Sequence, residues 1–235
     1  MELILTQKPK NPIIVQGFPG FGLIGTIATE FLIEQLKAVP IGRIKVTEMP
    51  AMVALHEEKI VQPIGIYYDK KTNTVIIHVV TPIKGIEWKL SEIIAKLARD
   101  LKAKDVISLE GVSSPYALEE TQCFYYATSS QQGKKLEKVS VKPLREGIIL
   151  GVTGALMLET GIPLCCIFVE AHSAMPDSRA AAKIIEVLDV YLNLNIDVEP
   201  LMAQAEKFEK KLKGIMDQSR RATEEQEKKS LNYVG

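Results

Sequence analysis

The chain has no excess of charge, no long apolar run and few aromatic side chains. Its 235 residues include 29 basic and 29 acidic side chains, and aromatic residues make up 6%. Nucleic-acid and anionic-membrane surfaces depend on a basic excess, so we expect neither partner. No run of about 18 uncharged apolar residues appears, so we expect no membrane span. The N-terminal MELILTQKPKNP lacks the apolar core of a signal peptide.

Cysteine is also scarce. The three cysteines, Cys123, Cys165 and Cys166, have no C-x-x-C spacing. Because Cys165 and Cys166 lie in the apolar run PLCCIFVE, we expect them to be small core side chains in a reducing compartment. The sequence therefore predicts a cytoplasmic protein without a metal site.

Strand-like and helix-like segments alternate almost to residue 200. Apolar runs at residues 13–15, 74–81 and 163–172 alternate with amphipathic segments such as 88–101 and 178–194. This alternation predicts an α/β fold, a three-layer sandwich with a mostly parallel or mixed central sheet, plus a C-terminal helical extension. The longest apolar run, PLCCIFVEAH, predicts a central strand that is covered on both faces.

Three other segments carry local predictions. Residues 41–49 predict a second strand, and residues 60–67 predict a strand paired with residues 74–81. The small, apolar residues of GIILGVTGALMLETGIP, 147–163, predict a helix packed on the sheet.

A glycine-rich turn, QGFPGFGLIG, follows the first apolar run. Gly20, Gly22 and Gly25 have the G-x-G-x-x-G spacing of dinucleotide sites, and Glu48 stands near the position of a ribose-binding acid. However, Phe18, Pro19 and Phe21 would crowd backbone that must approach a pyrophosphate, and Pro19 has no N–H. We therefore expect a packing turn without a cofactor, and a nucleotide-binding regulatory module stays open as an alternative.

Residues that could carry catalysis are few. Glu170 and His172 follow the central strand, where α/β proteins gather their ligands, and Ser113 and Ser114 have a similar position. No G-x-S-x-G nucleophile motif is present. The alternative function is therefore a small-molecule enzyme, phosphorylase-like or hydrolase-like, that uses Glu170 and His172.

The pattern changes past residue 196. Apolar residues repeat there at spacings of three and four: Val198, Leu201, Ala205, Phe208, Leu212 and Ile215. Such a stripe predicts a helix that contacts either the parent domain or another subunit. We therefore divide the chain into a core domain (1–196), a C-terminal helix with a polar leash (197–230) and a docking peptide (231–235).

The docking peptide is LNYVG. Leu231, Tyr233 and Val234 are apolar residues that return after a polar stretch and are too few to form a core. Either they form a frayed terminus, or they are a peptide ligand for a partner's pocket.

Three motifs together resemble the proteasome assembly chaperone family as found in archaea: GFPGFGLIG, GIILGVTGALMLETGIP and MPDSRAAAKIIEVL. The resemblance covers roughly residues 10–210. It implies a three-layer fold akin to nucleoside phosphorylases, no catalysis, and homo-oligomers that present C-terminal segments to the α-ring of the 20S proteasome. We therefore expect a non-enzymatic, ATP-independent assembly chaperone or activator, with a tetramer or pentamer as candidate assemblies.

The resemblance also implies the contact residues. Related tails end in a hydrophobic residue, a tyrosine and any residue, and their carboxylate meets a lysine between α-subunits. In this chain the tyrosine is third from the end rather than second. The residues expected to bind the α-ring are Leu231, Asn232, Tyr233, Val234 and Gly235. The residues expected at a subunit contact are Phe18, Phe21, Val198, Leu201, Phe208 and Leu212.

Overall fold

The computed structural model describes residues 1–49, 51, 53–56, 58–113, 121–171, 175–203, 213–214 and 217–218. The strands of this part of the chain are β1 (Glu2–Leu5), β2 (Ile13–Gly17), β3 (Val39–Lys45), β4 (Ala54–His56), β5 (Lys59–Val61), β6 (Ile64–Asp69), β7 (Thr74–Val79), β8 (Asp105–Ser113), β9 (Cys123–Ala127), β10 (Lys142–Pro143) and β11 (Leu164–Ala171). The helices are α1 (Ile24–Leu36), α2 (Glu87–Leu101), α3 (Ser130–Lys138), α4 (Gly151–Met157), α5 (Ser178–Leu192) and α6 (Glu199–Ala203).

Nine of the strands form one mixed sheet in the order β1-β3-β6-β7-β2-β8-β11-β9-β10, and β4 pairs with β5 in a separate hairpin. The central strands β7, β2, β8 and β11 are parallel to one another. Antiparallel strands flank them, since β6 pairs with β7 and β9 pairs with β11 in that sense. The predicted mixed sheet is confirmed.

Helices cover both faces of the sheet and complete the three layers. One core joins the sheet to α1, α3, α5 and α6, and includes Phe31, Ile184 and Leu201. The other core joins the opposite face to α2 and α4, and includes Ile94 and Leu156. All eight residues of β11 are buried, as its unbroken apolar sequence predicted. Cys165 and Cys166 lie in it with no exposed surface.

Three local predictions differ from the structure. β3 spans Val39–Lys45, so it starts and ends earlier than predicted, and it ends where its partner β1 runs out, since Lys45 pairs with Glu2. Residues 60–67 divide between β5 and β6, which belong to different sheets, and the predicted pairing with residues 74–81 is confirmed for β6, which pairs with β7. The predicted helix over 147–163 is only α4, because Gly151 has φ +73° and Leu158 already ends the helix as its C-cap. Within the described residues, no helix is long and apolar enough to cross a membrane.

Candidate functional site

The glycine turn joins β2 to α1 by a close approach of backbones. A Cβ at Gly25 would stand 2.5 Å from the carbonyl oxygen of Leu109 and 2.9 Å from the Cα of Gly17. Gly22 has φ +66° in the short 3-10 turn before α1. Phe18 is 5% exposed and packs in the core with α2. These glycines therefore serve tight packing and turn conformation, as the sequence indicated.

A carboxyl group lies beside the same turn, at the position where the pyrophosphate of a dinucleotide would bind. Glu110 of β8 lies so close to Gly20 that a Cβ there would collide with Glu110 Oε1. A pyrophosphate at this turn would face that acidic side chain. The arrangement is therefore unfavourable for a phosphate.

A cleft of about 920 Å³ opens at the carboxyl ends of β2, β8 and β11. Chain connections leave β2 and β8 in opposite directions across the sheet, and ligands of α/β proteins bind at such a divergence. The walls are the glycine turn on one side and residues 142–152 on the other. Most of the lining is apolar, with Phe21, Val112 and Phe124 among its side chains.

Glu110 is an acid of this cleft whose carboxyl group has a strongly raised pKa. Its Oε2 accepts a hydrogen bond of 2.8 Å from the Thr153 hydroxyl, which lies 2.8 Å from the Ser108 hydroxyl. Burial raises the pKa of the Glu110 carboxyl to about 7, and the Thr153 hydrogen bond opposes this change. Glu110 can therefore exchange a proton near neutral pH, and it is partly exposed to the cleft.

A fully buried amide lies beside this group. Gln16 of β2 pairs in register with Ser108 of β8, and has no exposed surface. Neither its amide nitrogen nor its amide oxygen has a hydrogen-bond partner among the described residues. Gln16 and Ser108 therefore form a polar row directly beneath the row of Phe18 and Glu110.

The structure places part of the predicted enzyme site at the same cleft. Glu170 and Ser113 line it, and Glu170 Oε2 accepts a hydrogen bond of 3.3 Å from the backbone N–H of Gln122. His172 and Ser114 lie outside the described residues. Within the described ranges, no group of three His, Cys, Asp or Glu side chains could hold a metal ion.

The predicted subunit-contact residues divide into three groups. Phe18 and Leu201 are packed within the domain, Leu201 with no exposed surface, so they have little surface left for another subunit. Phe21 and Val198 are partly buried against the core. Phe208, Leu212 and the whole peptide Leu231–Gly235 lie outside the described residues.

Sequence reasoning missed Glu110 and Thr153. Glu110 lies in the segment ISLEG, and an acid at the end of a buried parallel strand is a recognisable signal. Thr153 lies among the small residues of GIILGVTGALMLETGIP, whose pattern indicates only packing. The role of Thr153 depends on its contact with Glu110 of β8, which no local sequence pattern records.

Comparisons with known proteins identify relatives over nearly the whole chain. The model of the PAC2 family matches residues 14–216. The structure of Pyrococcus furiosus PbaA, described as an archaeal homolog of proteasome-assembly chaperone, superposes with a TM-score of 0.85 at 30% identity, over 94% of this chain and 98% of that one. Pyrococcus furiosus PbaB, described as an archaeal proteasome activator, superposes with a TM-score of 0.74 over 91% of this chain and 98% of that one. At 21% identity, that second likeness shows the fold alone. An uncharacterized protein of Methanocaldococcus jannaschii is 27% identical over 96% of this chain and 94% of its own length.

Proposed function

Because the chain belongs to the PAC2 family, we propose that it is a non-enzymatic, ATP-independent assembly chaperone or activator of the proteasome. The likeness to PbaA carries this proposal, since it extends over 94% of the chain at 30% identity. The balanced charge of the chain lacks the basic excess on which nucleic-acid binding depends. We place its action in the cytoplasm.

For the mechanism, we propose that residues 231–235 bind the α-ring of the 20S proteasome. Leu231, Tyr233 and Val234 would occupy apolar pockets, and the terminal carboxylate would pair with a basic side chain. A homo-oligomer carries several such peptides, so weak individual contacts add up through their effective concentration. The described core, with α6 packed against it through Leu201, already buries its apolar faces without this peptide.

For the subunit contact, we propose the side chains of Phe21, Val198, Phe208 and Leu212. The first two are partly buried at the surface of the domain. The last two continue the stripe that Val198 begins. A helix with such a narrow stripe can bundle with its copies in a tetramer or pentamer.

The test is co-sedimentation of the purified protein with an archaeal 20S core particle in the absence of nucleotide. The full chain is expected to co-sediment, and a variant ending at Ser230 is expected to stay in the supernatant. Both should show the same thermal unfolding, because the described core already buries its apolar faces.

Two single substitutions refine the test. Tyr233→Ala is expected to weaken α-ring binding at least tenfold, because it removes the large apolar side chain of the peptide. Asn232→Ala is the matched control, next in sequence and polar, and is expected to change binding less than threefold. Undiminished binding by the variant ending at Ser230 would refute the tail mechanism.

A further inference from the structure

The cleft at the carboxyl ends of β2, β8 and β11 has no part in the tail mechanism. Its volume of about 920 Å³ lies within the range of small-molecule sites, which are mostly apolar with a few convergent polar groups. This cleft has that composition. The chemistry of its polar groups therefore indicates what it could hold.

Two acidic groups of the cleft are partly or fully buried. Glu110 and Glu170 both line it, at the ends of neighbouring parallel strands. Among the described residues, Glu110 has a hydroxyl, that of Thr153, as its hydrogen-bond partner, and no cation pairs with it. A buried carboxylate without a cation is costly, and a positively charged ligand would remove that cost.

The basic groups among the described lining residues are exposed. They are Lys142 and Arg145. Water screens exposed charges far more than buried ones. The less exposed acids, Glu110 and Glu170, are therefore screened less and act more strongly on a ligand in the cleft than these two bases do.

The polar row next to Glu110 contains hydrogen-bonding atoms that no described residue satisfies. Gln16 is fully buried with both amide atoms unpaired, and it stands next to Ser108, whose hydroxyl contacts Thr153. Native proteins rarely leave buried polar atoms without a partner, unless a water or ligand supplies one. The row from Gln16 to Glu110 can hold such a water next to a bound ligand.

The geometry points to a binding site for a small organic cation, an apolar molecule with a primary ammonium group. The ammonium group pairs with Glu110, and Glu170 adds a second negative charge to the lining of the same cleft. The apolar body contacts the walls formed by Phe21, Ile83, Val112, Phe124, Leu144 and Ile149. A charge-assisted hydrogen bond fixes the charged end, and burial of apolar surface supplies the rest of the affinity.

The probe for this site is dansylcadaverine, which joins an apolar fluorescent ring system to a primary ammonium. Its fluorescence anisotropy is measured against increasing concentrations of the full-length protein. The N-acetylated probe has the same ring without the charge. We expect the charged probe to bind at least tenfold more tightly than the acetylated one, because only the charged probe can pair with Glu110.

Two variants locate the site. Glu110→Gln keeps the size of the side chain and is expected to weaken binding of the charged probe at least tenfold. Gly20→Ala places a Cβ against Glu110 Oε1 on backbone that alanine adopts freely, at φ −121°. It should displace the carboxyl group and weaken binding in the same direction.

Glu146→Gln is the matched control, since Glu146 lines the same cleft from an exposed position. It makes the same change in charge and should alter binding less than twofold. Equal binding of the two probes would overturn the proposal. Unchanged binding in both Glu110→Gln and Gly20→Ala, or an equal loss in Glu146→Gln, would also overturn it. None of these measurements depends on the proteasome.

Discussion

Strand β8 carries an acid near each of its ends, and the two acids have different surroundings. Asp105 begins the strand and accepts hydrogen bonds of 2.7 Å from the Tyr191 hydroxyl and 2.7 Å from the Gln132 amide. Glu110, near the other end, accepts one of 2.8 Å from Thr153 and faces a cleft. Burial raises the pKa of both carboxyl groups.

This difference indicates that Asp105 has a structural role, whereas Glu110 is accessible to a ligand. Tyr191 of α5 and Gln132 of α3 come from two helices and enclose Asp105, which ties those helices to the sheet. Glu110 has no comparable enclosure among the described residues. Perturbed acids that stay accessible in a cleft are typical of functional sites, whereas enclosed ones are typical of structural networks.

The largest expected effect is at the enclosed acid. Asp105→Ala leaves the buried Tyr191 hydroxyl without its acceptor and removes one partner of Gln132. We expect the free energy of unfolding to fall by about 4 kcal/mol, since hydrogen bonds to charged groups are the strongest of their kind. Urea denaturation at neutral pH measures this loss.

The control for this substitution is Asp100→Ala on α2. Asp100 pairs with Lys96, but its side chain is 54% exposed. Exposed pairs contribute little, so the loss should stay below about 1 kcal/mol. Equal losses in the two variants would mean that the Asp105 network does not hold the helices to the sheet.

A smaller effect, with a pH dependence, is expected at Glu110. Its folded-state pKa of about 7 lies above the unfolded value of 4.5, so the folded state holds the proton more tightly. This contribution to stability is fully present below pH 4.5 and is lost as the pH rises through 7. Glutamine does not titrate, so Glu110→Gln does not lose this stability at high pH. The free energy of unfolding of the variant, relative to that of the parent, should therefore rise by about 2 kcal/mol from pH 5 to pH 8, allowing for partial exposure.

Urea denaturation of parent and variant at pH 5 and pH 8 measures this gain. The Cys166 thiol is the titratable group that interacts with Glu110 among the described residues, and Glu170, Lys142, Arg145 and Glu146 are the other charged groups that line the cleft. Glu146→Gln therefore serves as control, and its difference from the parent should be the same at both pH values. A constant difference for Glu110→Gln as well would mean that its carboxyl is as solvated as an ordinary one.

The elements that the sequence predicted well are those whose signals are local. Helix α3 (Ser130–Lys138) has such a local signal, because the Ser129 side chain and Gln132 form a reciprocal capping box at its start. Helix α5 begins after Asp177, whose side chain accepts from the backbone N–H of Ala180. Strand β11 is buried throughout, as an unbroken apolar run predicts.

The elements that the sequence predicted poorly depend on contacts between distant segments. Residues 147–150 look helical, yet Ile148 is 88% exposed and Leu150 77% exposed in the wall of the cleft. The pair of Glu110 and Thr153 spans 43 positions in sequence. The surroundings of Glu110 depend on the sheet order and the glycine turn together, so no spacing rule could identify it.

The smallest expected effect concerns the hydrogen bond that the Thr153 hydroxyl donates to Glu110. Thr153→Val keeps the shape of the side chain and removes the hydroxyl between Ser108 and Glu110. Stability should fall by about 1 kcal/mol. Because that hydroxyl lowers the pKa of Glu110, its removal should raise the pKa further.

This change in pKa can be measured through stability. Glu110→Gln is expected to become more stable than its parent only above a certain pH. That pH should be higher when both proteins also carry Thr153→Val than when both have Thr153. Thr160→Val, an exposed site just beyond α4, is the control and should leave that pH unchanged. If Thr153→Val also left it unchanged, the carboxyl of Glu110 would not depend on Thr153 in solution. The two acids of β8 would then differ only in their exposure to the cleft, and Glu110 would meet a ligand without the orientation that Thr153 gives it.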